Sequence, residues 1–314
     1  MPNPDFFIIG APRSGTTSLY HYLDQHPQIE MSSQKEAGYF HFLGSEPDFE
    51  AMAARHGRQL HHESLRRYQR AKRLSVVSER DYKRLWKTSS EPFIRGEATP
   101  TYFFDPEVTQ RIWAKYPSSK LILILRNPVH RAYSEYLQFL RLGLETHRMF
   151  EEALAAEPVA VEDYWWGARR YVRSSLYATH LNRFLSIFPR SQVKIYLFEQ
   201  LKSDVVALMR DCFSFLEVRP DFQVDTSFRH KEGFVPENTG LVRFAQSDHP
   251  LKGLLRGTFP RALRGKVYDM ILRAHQGEPP PLTSLLEAKL RSTFLSDLTQ
   301  LESIARLDLR DWYE

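Results

Sequence analysis

The chain has 314 residues, 42% hydrophobic and 26% charged, which excludes global disorder, and it is long enough to bury about three quarters of its unfolded surface without disulfides or metals. A single cysteine, Cys212, excludes a disulfide framework and a cysteine-rich zinc cluster. Lysine plus arginine exceed aspartate plus glutamate by 43 to 38, a mild excess that suits an anionic small ligand and does not by itself imply nucleic acid.

No apolar run approaches the roughly 20 residues of a membrane-spanning helix. Met1-Pro2-Asn3-Pro4-Asp5 lacks the basic region and long apolar stretch of a signal peptide. A soluble, cytoplasmic protein without a stable membrane anchor is expected. Phe6 to Ile9 reads as a buried strand stopped by a loop containing Gly10, Pro12 and Gly15. Thr16 to Gln25 has helical spacing at Leu19, Tyr20 and Leu23. About Phe49 to Trp86 reads as a charged helix, with Arg66, Arg67, Arg70, Lys72 and Arg73 on a solvated face. Phe93 to Gly96 reads as a strand and Pro106 to Tyr116 as a helix.

Leu121-Ile122-Leu123-Ile124-Leu125 lies between Pro117 and Pro128. It reads as a central parallel strand buried on both faces. Val129 to Leu142 and Ser174 to Phe188 read as helices, Val193 to Leu197 as a strand, and Leu201 to Leu216 and Leu282 to Ala305 as helices. Strands alternating with helices predict an α/β fold with a central parallel sheet flanked by helices. One domain is expected over 1–314, with a helical insertion at about 48–90 and an irregular region at about 229–281.

Gly10-Ala11-Pro12-Arg13-Ser14-Gly15-Thr16-Thr17 follows the first strand and opens a helix. It matches the phosphate loop G-x-x-x-x-G-K-[ST] at both glycines and the last threonine, with Thr16 in place of lysine. Glycines let the backbone curl, amides point inward, and the helix N-terminus favours an anion. The loss of the lysine that reaches β- and γ-phosphates favours a 5′-phosphate over ATP hydrolysis. Arg13 adds a permanent cation. A second anion site is read after the central strand, where Arg126 precedes Asn127-Pro128 and Ser134 lies two turns into the next helix. A nucleotide phosphorylated at two positions would fill both.

These stretches resemble the signature of sulfotransferases that use 3′-phosphoadenosine 5′-phosphosulfate. Lys35-Glu36-Ala37-Gly38-Tyr39-Phe40 is similar to the Lys-Glu-Pro-x-Phe-Phe segment of the heparan-sulfate-type branch. Gly96 to Phe103, Ser175-Leu176-Tyr177 and the C-terminal helix ending near Trp312 also fit. The resemblance implies a single Rossmann-like domain with a P-loop-like phosphate loop, no metal, and in-line sulfuryl transfer to a hydroxyl or amine of a carbohydrate or small-molecule acceptor. By position it implies that Arg13, Ser14, Gly15, Thr16, Thr17 and Ser18 hold the 5′-phosphate, Arg126 and Ser134 hold the 3′-phosphate, and Tyr177 adjoins the cofactor. Glu36 stands where the branch has its general base, with His41 as the rival. Without the resemblance, Glu36 reads as a structural partner of an arginine and each histidine as a packing or surface residue.

Three departures stand out. Ala98 replaces a lysine of some members, Ala37-Gly38 replaces Pro-x, and Arg229 to Gly240 only loosely matches the late cofactor loop to which Arg229, Lys231 and Gly233 are assigned. The aromatic group Tyr164, Trp165 and Trp166 reads as core packing, with stacking against an acceptor as a second role. Two alternatives remain at this level, a non-catalytic nucleotide-binding module and an atypical P-loop nucleotide kinase. The latter lacks the loop lysine and an aspartate after the central strand.

Overall fold

In the computed structural model, residues 3–43, 72, 74–87, 94–142, 144–157, 170–227, 235–236 and 276–313 are described. Five strands, β1 (Phe6–Gly10), β2 (Ile29–Met31), β3 (Ile94–Ala98), β4 (Lys120–Leu125) and β5 (Val193–Leu197), form one sheet. Their order is β2-β3-β1-β4-β5 and every pairing is parallel. The helices in chain order are α1 (Thr16–Asp24), α2 (Glu79–Lys83), α3 (Val108–Lys115), α4 (Pro128–Arg141), α5 (Phe150–Ala155), α6 (Tyr177–Leu185), α7 (Phe198–Ser203), α8 (Val205–Leu216), α9 (Ser284–Ala305) and α10 (Arg310–Tyr313). This is a single α/β domain with a parallel sheet covered on both faces.

The aliphatic runs explain the layering. Alternate side chains of a strand point to opposite faces. Phe7, Ile9, Leu121, Leu123 and Leu125 pack into one core with Val129, Ala132 and Tyr136 of α4, Leu181 and Phe184 of α6, and Phe294 and Leu298 of α9. Phe6, Ile8, Ile122 and Ile124 pack into the other with Leu19 and Leu23 of α1 and Leu208, Met209 and Phe213 of α8. Each fully buried side chain of this kind contributes roughly 1.5–3 kcal/mol.

The strand expected over 93–96 is observed over Ile94–Ala98, because Glu97 and Ala98 continue the pairing with Phe7 and Ile8. The helix expected over 201–216 is two helices. Asp204 leaves helical geometry between them and caps α8, its Oδ1 accepting the Ala207 amide at 2.9 Å. The helix expected over 174–188 begins with a 3-10 turn at Arg173–Ser175, and α6 starts only at Tyr177. Strand β2, three residues long, was not expected from the sequence. Of the helix expected over 49–86, the described part contains α2, capped by Ser78; most of its basic cluster and of the expected insertion lies outside the described residues. So does most of the expected irregular region, within which β6 (Val235–Pro236) and β7 (Gln276–Gly277) pair antiparallel.

The sheet order places the site. β1 and β4 are neighbours, yet the chain leaves β1 for α1 on one face and leaves β4 for α4 on the other. Parallel sheets open a crevice at their carboxyl edge where successive connections diverge in this way.

Candidate active site

The first loop is shaped by close packing. A Cβ on Gly10 would sit 2.6 Å from Phe103 Cβ, and one on Gly15 would sit 2.7 Å from Leu201 Cδ2. Gly15 also has φ +91°, the left-handed region that glycine adopts without steric cost. The Ala11 amide donates to the Ile124 carbonyl at 2.8 Å, tying the loop to the end of β4. α1 begins at Thr16 with no side chain from Gly15 to cap it, so Thr16, Thr17 and Ser18 carry the positive end of the helix beside the loop. Ser14 Oγ is buried without a hydrogen-bond partner, beside the Tyr177 hydroxyl.

The two stretches singled out in the sequence meet here. Arg13 Nε donates to Ser134 Oγ at 3.1 Å across 121 residues of chain. Arg126 Nη1 donates to the Arg13 carbonyl at 3.3 Å, and its guanidinium lies 4.8 Å from the Phe198 ring centroid. Asn127 orients the start of α4, its Oδ1 accepting the Val129 amide at 3.0 Å. Burial, then the charges of Arg141, Arg126 and Arg131, lower the Arg13 pKa to about 10 against the opposing pull of Glu135. The positive charges of Arg126, Arg131 and Arg141 act on Arg13, and an anion bound beside Arg13 would offset that repulsion.

Arg131 and Asp297, whose roles the sequence did not disclose, fix this arrangement together with Tyr177. Arg131 is fully buried and donates to Ser175 Oγ at 2.7 Å, the Tyr171 carbonyl at 2.8 Å and Glu135 at 3.0 Å. It thereby clamps the segment before α6 onto α4. Tyr177, the first residue of α6, donates its hydroxyl to the Arg126 carbonyl at 2.8 Å. Asp297 reaches in from α9, both carboxylate oxygens accepting the Ala178 amide at 3.2 Å at the uncapped start of α6. An arginine on an amphipathic helix and an aspartate 119 residues from its partner give no local signal.

Glu36 follows β2 and lies on the same carboxyl edge, where its amide donates to the Ala98 carbonyl at 2.8 Å. Its side chain is 60% exposed and takes the Lys35 ammonium at 2.6 Å. Its φ of +62° is unusual for a residue with a side chain. His41 is buried, with Nδ1 2.7 Å from Asp105 Oδ2 and Nε2 2.9 Å from Thr101 Oγ1. Burial lowers its pKa against the opposing pull of Asp105. Arg111 donates to the Phe40 and His41 carbonyls at 2.8 and 3.0 Å and fixes the turn between them. Arg229, Lys231, Gly233 and the group Tyr164, Trp165 and Trp166 lie outside the described residues. Among the described residues no cluster of three or more His, Cys, Asp or Glu is arranged to hold a metal ion, and no helix is long and apolar enough to cross a membrane.

A five-stranded parallel sheet with a glycine loop between β1 and α1 defines an α/β protein of the phosphate-loop type. The chain belongs to the sulfotransferase family, whose profile matches residues 4–222. It is 33% identical over 203 residues to heparan sulfate glucosamine 3-O-sulfotransferase 6 of Homo sapiens, covering 64% of this chain and 48% of that protein. It is 28% identical over 249 residues to carbohydrate sulfotransferase 15 of Homo sapiens, covering 69% and 44%. The chain therefore spans about half the length of the curated relatives it matches. The crystal structure of a sulfotransferase from Alicyclobacillus acidocaldarius superposes over 100% of both chains with a TM-score of 0.68 and 29% identity.

Proposed function

We propose that this protein transfers a sulfuryl group from 3′-phosphoadenosine 5′-phosphosulfate to a hydroxyl or amine of an acceptor, with carbohydrates as the favoured class because the relatives named above act on them. The observation that carries the proposal is the Arg13–Ser134 contact, which joins the loop after β1 to the motif after β4. The buried Ser14 hydroxyl, the uncapped start of α1 and the positive charges acting on Arg13 fit an anionic nucleotide.

When bound, that nucleotide supplies an electrophilic sulfur attached to a phosphate leaving group. The amides of Gly15, Thr16 and Thr17, with Ser14 and Ser18, hold its 5′ end. Arg126 and Ser134 hold its 3′-phosphate, and Tyr177 steadies Arg126 through the backbone. Arg13 neutralises the oxygen that departs as the sulfur–oxygen bond breaks. Glu36 accepts the acceptor's proton as its oxygen or nitrogen bonds to the sulfur. Fixed cations and positioning dominate such a transfer, as they do for phosphoryl groups. Glu36→Gln is expected to lower turnover by roughly 10²–10⁴-fold while leaving affinity for the nucleotide product intact. Isothermal titration with 3′-phosphoadenosine 5′-phosphate tests the proposal directly, and no binding to the wild-type chain would overturn it.

A further inference from the structure

The transfer scheme makes no use of a carboxyl group buried beneath Glu36. Glu97 lies on β3 and is fully buried. Thr99 donates its hydroxyl proton to Glu97 Oε1, and the same hydroxyl oxygen accepts the Gly38 amide at 3.2 Å. Nearby, the Tyr102 hydroxyl accepts the Phe40 amide at 3.2 Å. Glu97 Oε2 makes no direct hydrogen bond. The Tyr102 and Tyr82 hydroxyls and the Lys35 ammonium face the carboxyl at longer range and favour its charged form, while its charge in turn acts on Tyr116. Burial outweighs them and raises Glu97 to about 7.

A threonine hydroxyl has a single proton. While that proton is committed to Glu97, the lone pairs of Thr99 are turned toward the Gly38 amide, so the direction of the chain Gly38–Thr99–Glu97 is set by the carboxyl at its root. The segment above needs such pinning. Glu36 has φ +62° and Gly38 φ +67°, and a left-handed residue carrying a side chain persists only where its surroundings impose it.

We infer that Glu97, acting through Thr99, is a positioning residue for Glu36, holding the strained 36–38 turn so that the Glu36 carboxylate stays at the carboxyl edge of the sheet. This rests on the reading of Glu36 as the base. A carboxyl that merely fills the core would behave differently, because an apolar side chain of similar size would replace it without loss.

The full chain and its Glu97→Leu, Glu97→Gln and Thr99→Val variants separate the two. Three quantities are measured: amide hydrogen exchange at Gly38, affinity for 3′-phosphoadenosine 5′-phosphate, and kcat for transfer from labelled 3′-phosphoadenosine 5′-phosphosulfate to heparan sulfate. Glu97→Leu and Thr99→Val are expected to exchange the Gly38 amide at least about tenfold faster and to lower kcat by at least about tenfold, with product affinity within about twofold. Glu97→Gln keeps an acceptor oxygen for Thr99 and is expected to restore both values toward wild type. Wild-type exchange and kcat in Glu97→Leu would overturn the inference. So would a Glu97→Gln variant as impaired as Glu97→Leu. If Glu97→Leu does not fold, Thr99→Val against Glu97→Gln makes the same comparison. A Glu36→Gln variant that retains transfer would remove Glu36 as the base, and the exchange at Gly38 would still report whether Glu97 holds the turn.

Discussion

Single side chains in the crevice have separable duties. Arg126 is stacked on Phe198 and holds the Arg13 carbonyl, so Arg126→Ala removes a charge-assisted contact worth roughly 1.5–3 kcal/mol. The expected result is a 10- to 100-fold loss of affinity for 3′-phosphoadenosine 5′-phosphate by titration calorimetry, about the fold-change those energies imply. Glu97 makes a pH-dependent prediction. Its pKa is raised from 4.5 to about 7 in the fold, so between those values the native state binds more protons than the unfolded chain. Stability therefore falls as pH rises through that window, by an amount on the order of 3 kcal/mol once it is complete. Glu97→Gln has no such titration. Its melting temperature relative to wild type should be higher at pH 8 than at pH 5, and an equal difference at both would refute the assignment. Arg126 was legible as an anion ligand at the end of a central strand, whereas the buried Glu97 was not. Glu97 sits in Gly96-Glu97-Ala98-Thr99, where nothing in the alternation of residues marks a carboxyl enclosed on every side.

At the scale of elements, legibility followed length and apolar continuity. β1 and β4 declare themselves because strands buried on both faces need unbroken runs of aliphatic and aromatic residues, and β5, at the sheet edge with Lys194 interrupting its run, is still apolar enough to read as a strand. β2 does not, because Ile29-Glu30-Met31 is too short to show a period and borrows its stability from β3. The break at Asp204 separates two helices that an apolar pattern runs together, since a capping carboxylate is spelled like any exposed aspartate. The glycines before α1 were readable as a tight loop, and its packing explains why they are needed. Gly15→Ala combines a φ of +91° with a Cβ 2.7 Å from Leu201 Cδ2. Overpacking and strain of this kind cost roughly 1–3 kcal/mol each, so a clear drop in melting temperature with a parallel loss of nucleotide affinity is expected. Asp297→Ala strips the start of α6 of its acceptor, at a cost of about 1 kcal/mol by analogy with helix caps. Because α6 begins with Tyr177, the same variant should weaken nucleotide binding although Asp297 lies on α9; unchanged affinity would show that α6 keeps its place without it.

For the molecule as a whole, two cores share one sheet, and the crevice lies where their connections part. A ligand that binds only the folded state at 100 times its dissociation constant adds about 2.7 kcal/mol of stability. For a chain of 314 residues that corresponds to a rise in melting temperature of roughly 3–5 °C, which thermal denaturation with 3′-phosphoadenosine 5′-phosphate would register. No rise would mean that the crevice does not hold that nucleotide.

Arg13 follows β1 and Arg126 follows β4, two neighbouring parallel strands whose register shifts between Ile8 and Gly10. Neighbouring strands lie about 4.8 Å apart, a spacing fixed by backbone hydrogen bonds rather than by loop residues. On the proposed reading of the site, the sheet thus sets the spacing between the Arg13 and Arg126 positions. Changes of loop sequence can alter how firmly each position grips a ligand, but the distance between the grips is inherited from the backbone, and a one-residue slip of β4 against β1 would reverse its side chains and spoil that spacing at once.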